Sequence, residues 1–206
     1  MKIHGRINGI DHVAVSGGID SMVLLDFCKV HKISAVHFNH GTKHADDAEK
    51  FVTDYCNQNN IGLTIGRISG PKLEGSWESY WRNQRYNYFN NIDGIIATAH
   101  HFDDVIETYV MCFIKQIKRR FYYKINNIVR PLISTKKDEI VEWANRKGIP
   151  YIDDPSNNSL CHDRNRIRHE ILPSILRVNP GFYGNVMNDI DFENESNDSY
   201  KFTVVA

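Results

Sequence analysis

No sign of charge dominates this 206-residue chain, in which 25 Lys and Arg balance 25 Asp and Glu for a formal net charge of zero. A general basic coat of the kind that holds nucleic acid is therefore excluded. Any RNA partner has to be bound through a local patch. Cysteine is scarce and scattered: Cys28, Cys56, Cys112 and Cys161 form no C-x-x-C pair, so clustered zinc-ribbon and iron–sulfur spacings are absent. The opening segment, Met1–Gly9, is polar and broken by glycine, without the apolar run of a signal peptide. Nowhere does an apolar run approach the roughly 18 residues that a membrane span needs. Reduced thiols in a soluble, cytoplasmic protein are the expectation. What is present is 41% hydrophobic and 24% charged residues, enough to bury a core and too apolar for wholesale disorder. The length is generous for one compact domain and short for two full-sized ones.

Short β-rich runs alternate with longer helical patterns. His12–Val15, Ile33–Asn39 and Leu63–Ile68 predict strands. The nearly continuous apolar run Ile95–Ala99 predicts a strand at a sheet centre covered on both faces. Between them, Asp20–His31, Ala45–Asn60, Ser76–Asn90 and Phe102–Lys115 carry helical spacing. In the first of these helices Met22, Val23, Leu25 and Phe27 fall near one face. The alternation predicts an α/β fold, a doubly wound, mostly parallel sheet with helices on both faces in the Rossmann-like manner. After Arg130-Pro131-Leu132 the character changes. Lys136–Lys147 predicts a helix stopped by Gly148, and Asp163–Leu176 an Arg-rich helix closed by Asn179-Pro180-Gly181. Three parts are expected: an α/β core over 1–135, a helical extension packed on it over 136–187, and a loose acidic tail over 188–206.

Ser16-Gly17-Gly18-Ile19-Asp20-Ser21 follows the first strand directly and opens the first helix. Two glycines let the backbone approach a ligand without a Cβ in the way. The helix N-terminus offers unpaired N–H groups and a partial positive charge, and the serines add donors. The combination suits a phosphate or pyrophosphate, although it has no lysine and so is not a Walker A loop. A tight strand–helix turn with serine or aspartate as N-cap is the plainer reading. His100-His101-Phe102-Asp103-Asp104-Val105-Ile106-Glu107-Thr108 follows the central strand. Asp103 and Asp104 can share a helix face with Glu107. Carboxylates clustered beside a phosphate loop suit a Mg²⁺ carried by a nucleotide. Ordinary acidic capping of a helix also accounts for them. Their place at the carboxyl end of a strand, where open α/β sheets bind ligands, favours a site.

The Ser16–Ser21 segment resembles the pyrophosphate-binding loop of the N-type ATP pyrophosphatases, which split ATP between the α- and β-phosphates and adenylate a carbonyl oxygen. The His-x-x-Asp-Asp-x-x-Glu-Thr run beginning at His100 is similar to the pattern of the tRNA(Ile)-lysidine synthetases. Other pieces agree in order. These are Asn39-His40-Gly41, Arg82-x-x-Arg85-Tyr86 with Trp81 in place of alanine, Arg130-Pro131-Leu132, Asp154-x-Ser156-Asn157, and Arg164-Asn165-x-x-Arg168. The resemblance covers Val13 to Pro180.

That resemblance implies an adenine-nucleotide α-hydrolase-like fold, with ATP and Mg²⁺ as cofactors. It implies phosphates on Ser16, Gly17, Gly18, Asp20 and Ser21, and further nucleotide contacts at Asn39, His40 and His100. Catalytic carboxylates are implied at Asp20, Asp103, Asp104 and Glu107, with Asp20 and Asp104 holding the metal. Substrate contacts are implied at Arg82, Arg85, Arg130, Arg164 and Arg168. The implied partners are tRNA(Ile) with a CAU anticodon and free L-lysine. O2 of the wobble cytidine would attack the α-phosphate, and the lysine ε-amine would then attack C2 to form a carbon–nitrogen bond. Other readings stay open: a tRNA thiolase on the same loop, a small-molecule adenylating enzyme, or a nucleotide- and RNA-binding module without turnover. Arg82 and Arg85 can form a solvated helix face, and Arg164, Arg166 and Arg168 can pair with the acidic tail. The oligomeric state is open, a homodimer included.

Two departures from the family stand out. Its glycine-rich stretch after Glu107-Thr108 is replaced by Lys115–Lys124, without glycine, with five Lys or Arg and three aromatic residues. This segment is expected to contact the anticodon arm through Lys118, Arg119 and Arg120. A surface strand with snorkelling lysines is the alternative. The chain also stops soon after Arg168, without the C-terminal tRNA-binding domains of many members, and is expected to be a minimal form.

Overall fold

The computed structural model describes residues 1, 3–5, 7–70, 76–117, 120–154, 159–190 and 192–194. Among these, seven strands form one sheet: β1 (His12–Ala14), β2 (Ser34–Asn39), β3 (Leu63–Arg67), β4 (Ile96–Ala97), β5 (Phe121–Ile125), β6 (Ile128–Val129) and β7 (Phe192–Asn194). Their order is β3-β2-β1-β4-β6-β5-β7. Every pair is parallel except β5 with β6, a hairpin whose turn carries Asn126 at φ 52°. The doubly wound sheet expected from the alternation is the one found.

Helices α1 (Ile19–Cys28), α2 (Lys43–Gln58), α3 (Trp77–Asn90) and α4 (Phe102–Lys115) fall where the spacing predicts them. Thr42 and Ser76 cap α2 and α3 by accepting from Ala45 and Ser79 N–H groups. Winding reverses between β1 and β4. From β1 the sheet grows outward through β2 and β3, and from β4 through β6 and β5. His12 pairs with both Ser34 and Ile96, which brings the carboxyl ends of β1 and β4 level. A crevice at such a reversal is where open α/β sheets take ligands.

Burial explains why α1 shows no single apolar face. Met22, Val23, Leu24, Leu25 and Cys28 are all 0% exposed. The helix lies between the sheet and α5 (Lys137–Lys147), whose Trp143 Nε1–H donates to Asp26 at 3.2 Å. The sequence assigns Phe27 to the apolar face, yet it is only partly buried. The opposite face of the sheet carries a smaller cluster of Val36, Phe38, Ile96 and Ile128 under Phe89 of α3. Ile140, Ala144, Ile167, Leu172 and Val186, from the C-terminal helices, belong to the same buried cluster as α1.

Four expectations need correction. The central strand is shorter than Ile95–Ala99: β4 is Ile96–Ala97, and Thr98 N–H on the Val129 carbonyl at 2.9 Å is its last rung to β6. The Arg-rich helix is not uniform: α6 (Asp163–Arg166) runs through a π-helical turn at Ile167–Ile171 into α7 (Leu172–Val178). A further helix, α8 (Phe182–Asp189), follows Pro180-Gly181 and buries Val186. Within the acidic stretch, Phe192–Asn194 is strand β7 rather than loose chain. Among the described residues no helix is long and apolar enough to cross a membrane.

Candidate active site

The Ser16–Ser21 loop leaves β1 and enters α1 through Gly17 at φ +89°. A side chain at Gly17 would be strained there, and its Cβ would press on Ile152 at 3.2 Å. The loop is tied internally by Ser21: its Oγ accepts from Ser16 N–H at 3.1 Å and donates to the Gly18 carbonyl at 2.8 Å. It is tied externally by Ile152 N–H on the Gly17 carbonyl at 3.0 Å. Gly18 is the N-cap of α1 and provides no side-chain hydrogen bond. The plainer reading, a serine or aspartate cap, is therefore not what the structure has. The α1 amides are left for an anion.

Across the crevice, Asp103 and Asp104 in the first turn of α4 join Asp20 of α1 around one buried ring. His101 is 5% exposed. Its Nε2 lies 3.7 Å from Asp20 and 3.7 Å from Asp104, and its Nδ1 lies 3.7 Å from Asp103. Asp104 also accepts from His101 N–H at 3.0 Å. Burial opposes ionisation of Asp104, but His101, His100 and Arg164 outweigh it and hold the carboxyl below the usual carboxylate range. Asp103 is occupied on both oxygens, by Lys137 N–H at 2.7 Å and Tyr183 O–H at 2.8 Å. It therefore anchors the start of α5 and the helix α8.

Glu107, one turn along α4, is 1% exposed. Arg168 Nε donates to one oxygen at 2.6 Å and Arg164 Nε lies 3.4 Å from the other. Burial is the larger effect and pushes the Glu107 carboxyl up; the arginines oppose it. Arg164 also donates to Thr108 at 3.1 Å. These two arginines thus pair inside the site, while Arg166 pairs with Glu170 four residues on; most of the acidic tail lies outside the described residues.

A second positive group converges on Tyr86. The guanidinium groups of Arg82 and Arg85 lie 4.8 Å and 5.7 Å from its ring centre. Arg130 holds the Tyr122 carbonyl at 2.7 Å. Burial resists ionisation of the Tyr86 hydroxyl, but Arg82, Arg130 and Arg85 hold it below the usual phenol range. The same three charges reach His100. Burial lowers its pKa, Asp104 opposes, and the arginines reinforce the shift. Arg82 is exposed and Arg85 half-buried, and both lie against the Tyr86 ring, so they are not a purely solvated face.

Asn39 does not reach into the crevice. It is 3% exposed and fastens the β2–α2 turn, donating to Asp46 and Glu49 at 2.9 Å each and accepting from Gly41 N–H at 2.7 Å. His40 beside it lines a cavity of about 480 Å³ with Gly41, Ile68, Trp77 and Trp81. Lys118 and Arg119 lie outside the described residues, as do Ser156 and Asn157. Arg120 is exposed just ahead of β5, at the end of that strand nearest the site edge of the sheet.

The sequence reading missed four contributors: His101, Lys137, Ile152 and Tyr183. His101 stands in a His-His pair that was visible. Of the other three, Lys137 and Tyr183 reach Asp103 from 34 and 80 residues away and Ile152 reaches Gly17 from farther still, and their positions carry no local pattern.

Buried histidines make the fold acid-sensitive. Burial lowers the pKa of His37 and His4, and takes His40 to about 4, with Arg85 and His37 adding to it. Below about pH 6.5 the unfolded chain binds protons that the folded chain refuses, so stability is full above that pH and falls toward pH 4. The slope is up to about 1.4 kcal/mol per pH unit for a fully buried ring such as His37, and smaller for His40, which solvent reaches. Urea midpoints at pH 7.5, 6.5 and 5.5 should be level for the first two and clearly lower for the third. A midpoint that rises on acidification would show these rings to be charged in the fold.

A crevice at a topological switch, floored by a glycine turn and walled by carboxylates and arginines, is the setting expected of a PP-loop domain. Residues 10–175 match that family, and the chain belongs to it. Among curated proteins it is similar to the tRNA(Ile)-lysidine synthase of Persephonella marina, 33% identical over 195 residues, 85% of this chain and 43% of that protein. The enzymes of the same name from Enterococcus faecalis and Neisseria meningitidis serogroup B are 30% and 34% identical, over 92% and 86% of this chain and 45% and 46% of theirs. The chain spans less than half the length of these curated relatives. Among solved structures, the U34-tRNA thiolase NcsA of Methanococcus maripaludis superposes with a TM-score of 0.70 over 93% of this chain and 77% of that one. At 19% identity this is a likeness of fold alone.

Proposed function

We propose that the protein is an ATP-dependent tRNA-modifying ligase that builds lysidine at the wobble cytidine of tRNA(Ile) with a CAU anticodon. The observation that supports this reading is the opposition of the uncapped α1 N-terminus, with Asp20 in its first turn, to Asp104 of α4 across the β1/β4 reversal. The α1 amides and Ser16 and Ser21 bind the phosphates of ATP, and the cavity beside His40 takes the adenosine. O2 of cytidine attacks the α-phosphate and pyrophosphate leaves, so that AMP becomes the leaving group at C2. The ε-amine of lysine then displaces it. Arg82, Arg85 and Arg130 orient the RNA, because their planar donors fit phosphate oxygens. Glu107 fixes Arg164 and Arg168 at the other wall. The basic segment with Lys118, Arg119 and Arg120 remains assigned to the anticodon arm.

Asp20 and Asp104 suit a Mg²⁺ that arrives with ATP. Each presents an oxygen to the same side of His101, each is partly exposed, and such an ion needs only one or two carboxylates beside phosphate and water. Among the described residues no three His, Cys, Asp or Glu side chains are arranged to hold a metal by themselves. Bound there, the ion would supply charge neutralisation for the phosphates. Asp103, with both oxygens engaged, is a positioning group rather than a ligand.

Thiol chemistry is less well supported. Burial pushes the thiols of Cys28 and Cys56 up to about 12 and about 11, so neither supplies a thiolate at neutral pH. The deciding measurement is mass spectrometry of nucleosides from unmodified tRNA(Ile) incubated with protein, ATP and lysine. Lysidine is expected, and only when lysine is present. A thiolated base, or AMP release with unmodified cytidine, would overturn the proposal.

A further inference from the structure

The cavity beside His40 is walled by four rings, His40, Trp77, Tyr80 and Trp81. They belong to a ladder of aromatic side chains that climbs from the sheet to the surface. Ring centres are 5.2 Å apart from Phe38 to His40, 5.9 Å from His40 to Trp81, 5.8 Å from Trp81 to Trp77 and 6.0 Å from Trp77 to Tyr80. Phe38 at the foot is 7% exposed and Trp77 at the top 56%. Trp81 stands where the pattern that the chain resembles has alanine, and an alanine there would break the ladder between His40 and Trp77. Tyr80 O–H closes one edge by donating to the Gly70 carbonyl at 2.6 Å. Among the described residues no Asp, Glu, Lys or Arg lines the cavity. Burial, Arg85 and His37 hold His40 at about 4, so its ring is uncharged at neutral pH. The cavity suits a flat, neutral ligand and offers no counter-charge to a phosphate or an ammonium group. At about 480 Å³ it has room for more than one base.

We propose that the outer rungs, Trp77 and Trp81, stack an unpaired base of the RNA substrate, a direct neighbour of the reacting cytidine. The inference rests on the tRNA-modifying reading above, in which adenosine takes the inner end of the cavity against His40. Two observations commit the outer end to single-stranded RNA. The first is the sheet order, which puts β2 between β1 and β3. A nucleotide whose phosphates sit at α1, after β1, meets His40 after β2 first. The rings of α3 lie farther out, with Ile68 after β3. The second is the helix itself. Trp77, Trp81 and Arg85 follow at intervals of four residues and share a ridge of α3, with Arg82 beside them. Each interval is a rise of about 6 Å, comparable to the reach from a base to its own phosphate. A base held on Trp81 and Trp77 therefore leaves its phosphate close to Arg85 and Arg82. Guanidinium groups on the phosphate and rings on the base are the chemistry of single-strand binding, which accepts any base because each has a π-face. Holding the neighbour splayed out in this way frees the cytidine to enter the crevice.

The test uses the full chain and a synthetic anticodon stem–loop with a CAU anticodon, either intact or abasic at the nucleotide before or after the wobble cytidine. RNA binding is measured by fluorescence anisotropy for wild type, Trp77→Ala and Trp77→Phe, and ATP binding by calorimetry on the same proteins. Wild type should bind one of the two abasic RNAs about 5- to 150-fold more weakly than the intact one. Trp77→Ala should lose a comparable factor on intact RNA, and should then bind intact and abasic RNA within about twofold of each other. Trp77→Phe, which keeps a ring, should recover most of the loss. If Trp77→Ala binds intact RNA as wild type does, or still discriminates against the abasic RNA, the base stacks elsewhere and the proposal is wrong. A larger fall in ATP binding than in RNA binding would assign the outer rings to adenosine and overturn it too. Should the alanine variant fail to fold, equal binding of all three RNAs to wild type would be enough to sink the idea. Wild type that binds ATP but no RNA would remove the tRNA reading itself, a result distinct from the others.

Discussion

Asp104→Ala is expected to reduce AMP formation by about 10³-fold, equivalent to about 4 kcal/mol of transition-state stabilisation, with the fold intact. Its carboxylate faces the crevice, held ionised by His101, His100 and Arg164 against the effect of burial. Its structural bond is to His101 N–H alone among the hydrogen bonds described above, so the melting temperature should shift by no more than about 1 kcal/mol allows. Asp20→Ala should behave alike. Asp103→Asn should do the opposite, weakening the attachment of α5 and α8 more than the chemistry, since both its oxygens bind protein groups. Single-turnover AMP formation and thermal melts on the three variants separate the two behaviours. Near-wild-type turnover in Asp104→Ala or Asp20→Ala would place the reacting phosphates elsewhere.

Glu107→Ala should be the most destabilising change in the site, at about 3 kcal/mol. Removing one partner of a buried ion pair leaves the others uncompensated, and the usual cost is reduced here because Arg164 and Arg168 are themselves 38% and 36% exposed. Glu107→Gln should recover part of the loss by keeping the volume and one acceptor. A double change, Glu107→Leu with Arg168→Met, should be less damaging than the single alanine, because only Arg164, 38% exposed, is left without its carboxylate. Chemical denaturation of the set checks this. Equal stability of wild type and Glu107→Ala would mean that solvent already compensates the arginines.

The sheet and its helices were legible because their signals are local. Short β-rich runs mark β2 and β4, the latter nearly all apolar, and serine or threonine caps mark α2 and α3. The loop after β1 was legible for the same reason: Gly17 stands where φ must be positive. Where the reading faltered, the determinant was distant. The sequence gives α1 one apolar face, but α5 covers its other side. Strand β7 is acidic and short, and only pairing with β5 makes it a strand. Glu107 reads as a catalytic carboxylate in a linear motif. Its role as the seat of two arginines depends on residues 57 and 61 positions later, which no spacing rule reaches.

The long span between the phosphate loop and its supports has a consequence for biosynthesis. The loop is made before these supports: Lys137, whose ammonium pairs with Asp20, follows it by 117 residues and Ile152 comes later still. At a synthesis rate of about 5–20 residues per second, Asp20 waits about 6–23 s for its lysine. During that interval the growing chain holds a glycine turn without its brace and a carboxylate without its counter-ion. A ribosome-bound intermediate ending before α5 would therefore be translated, folded in part, and blind to nucleotide.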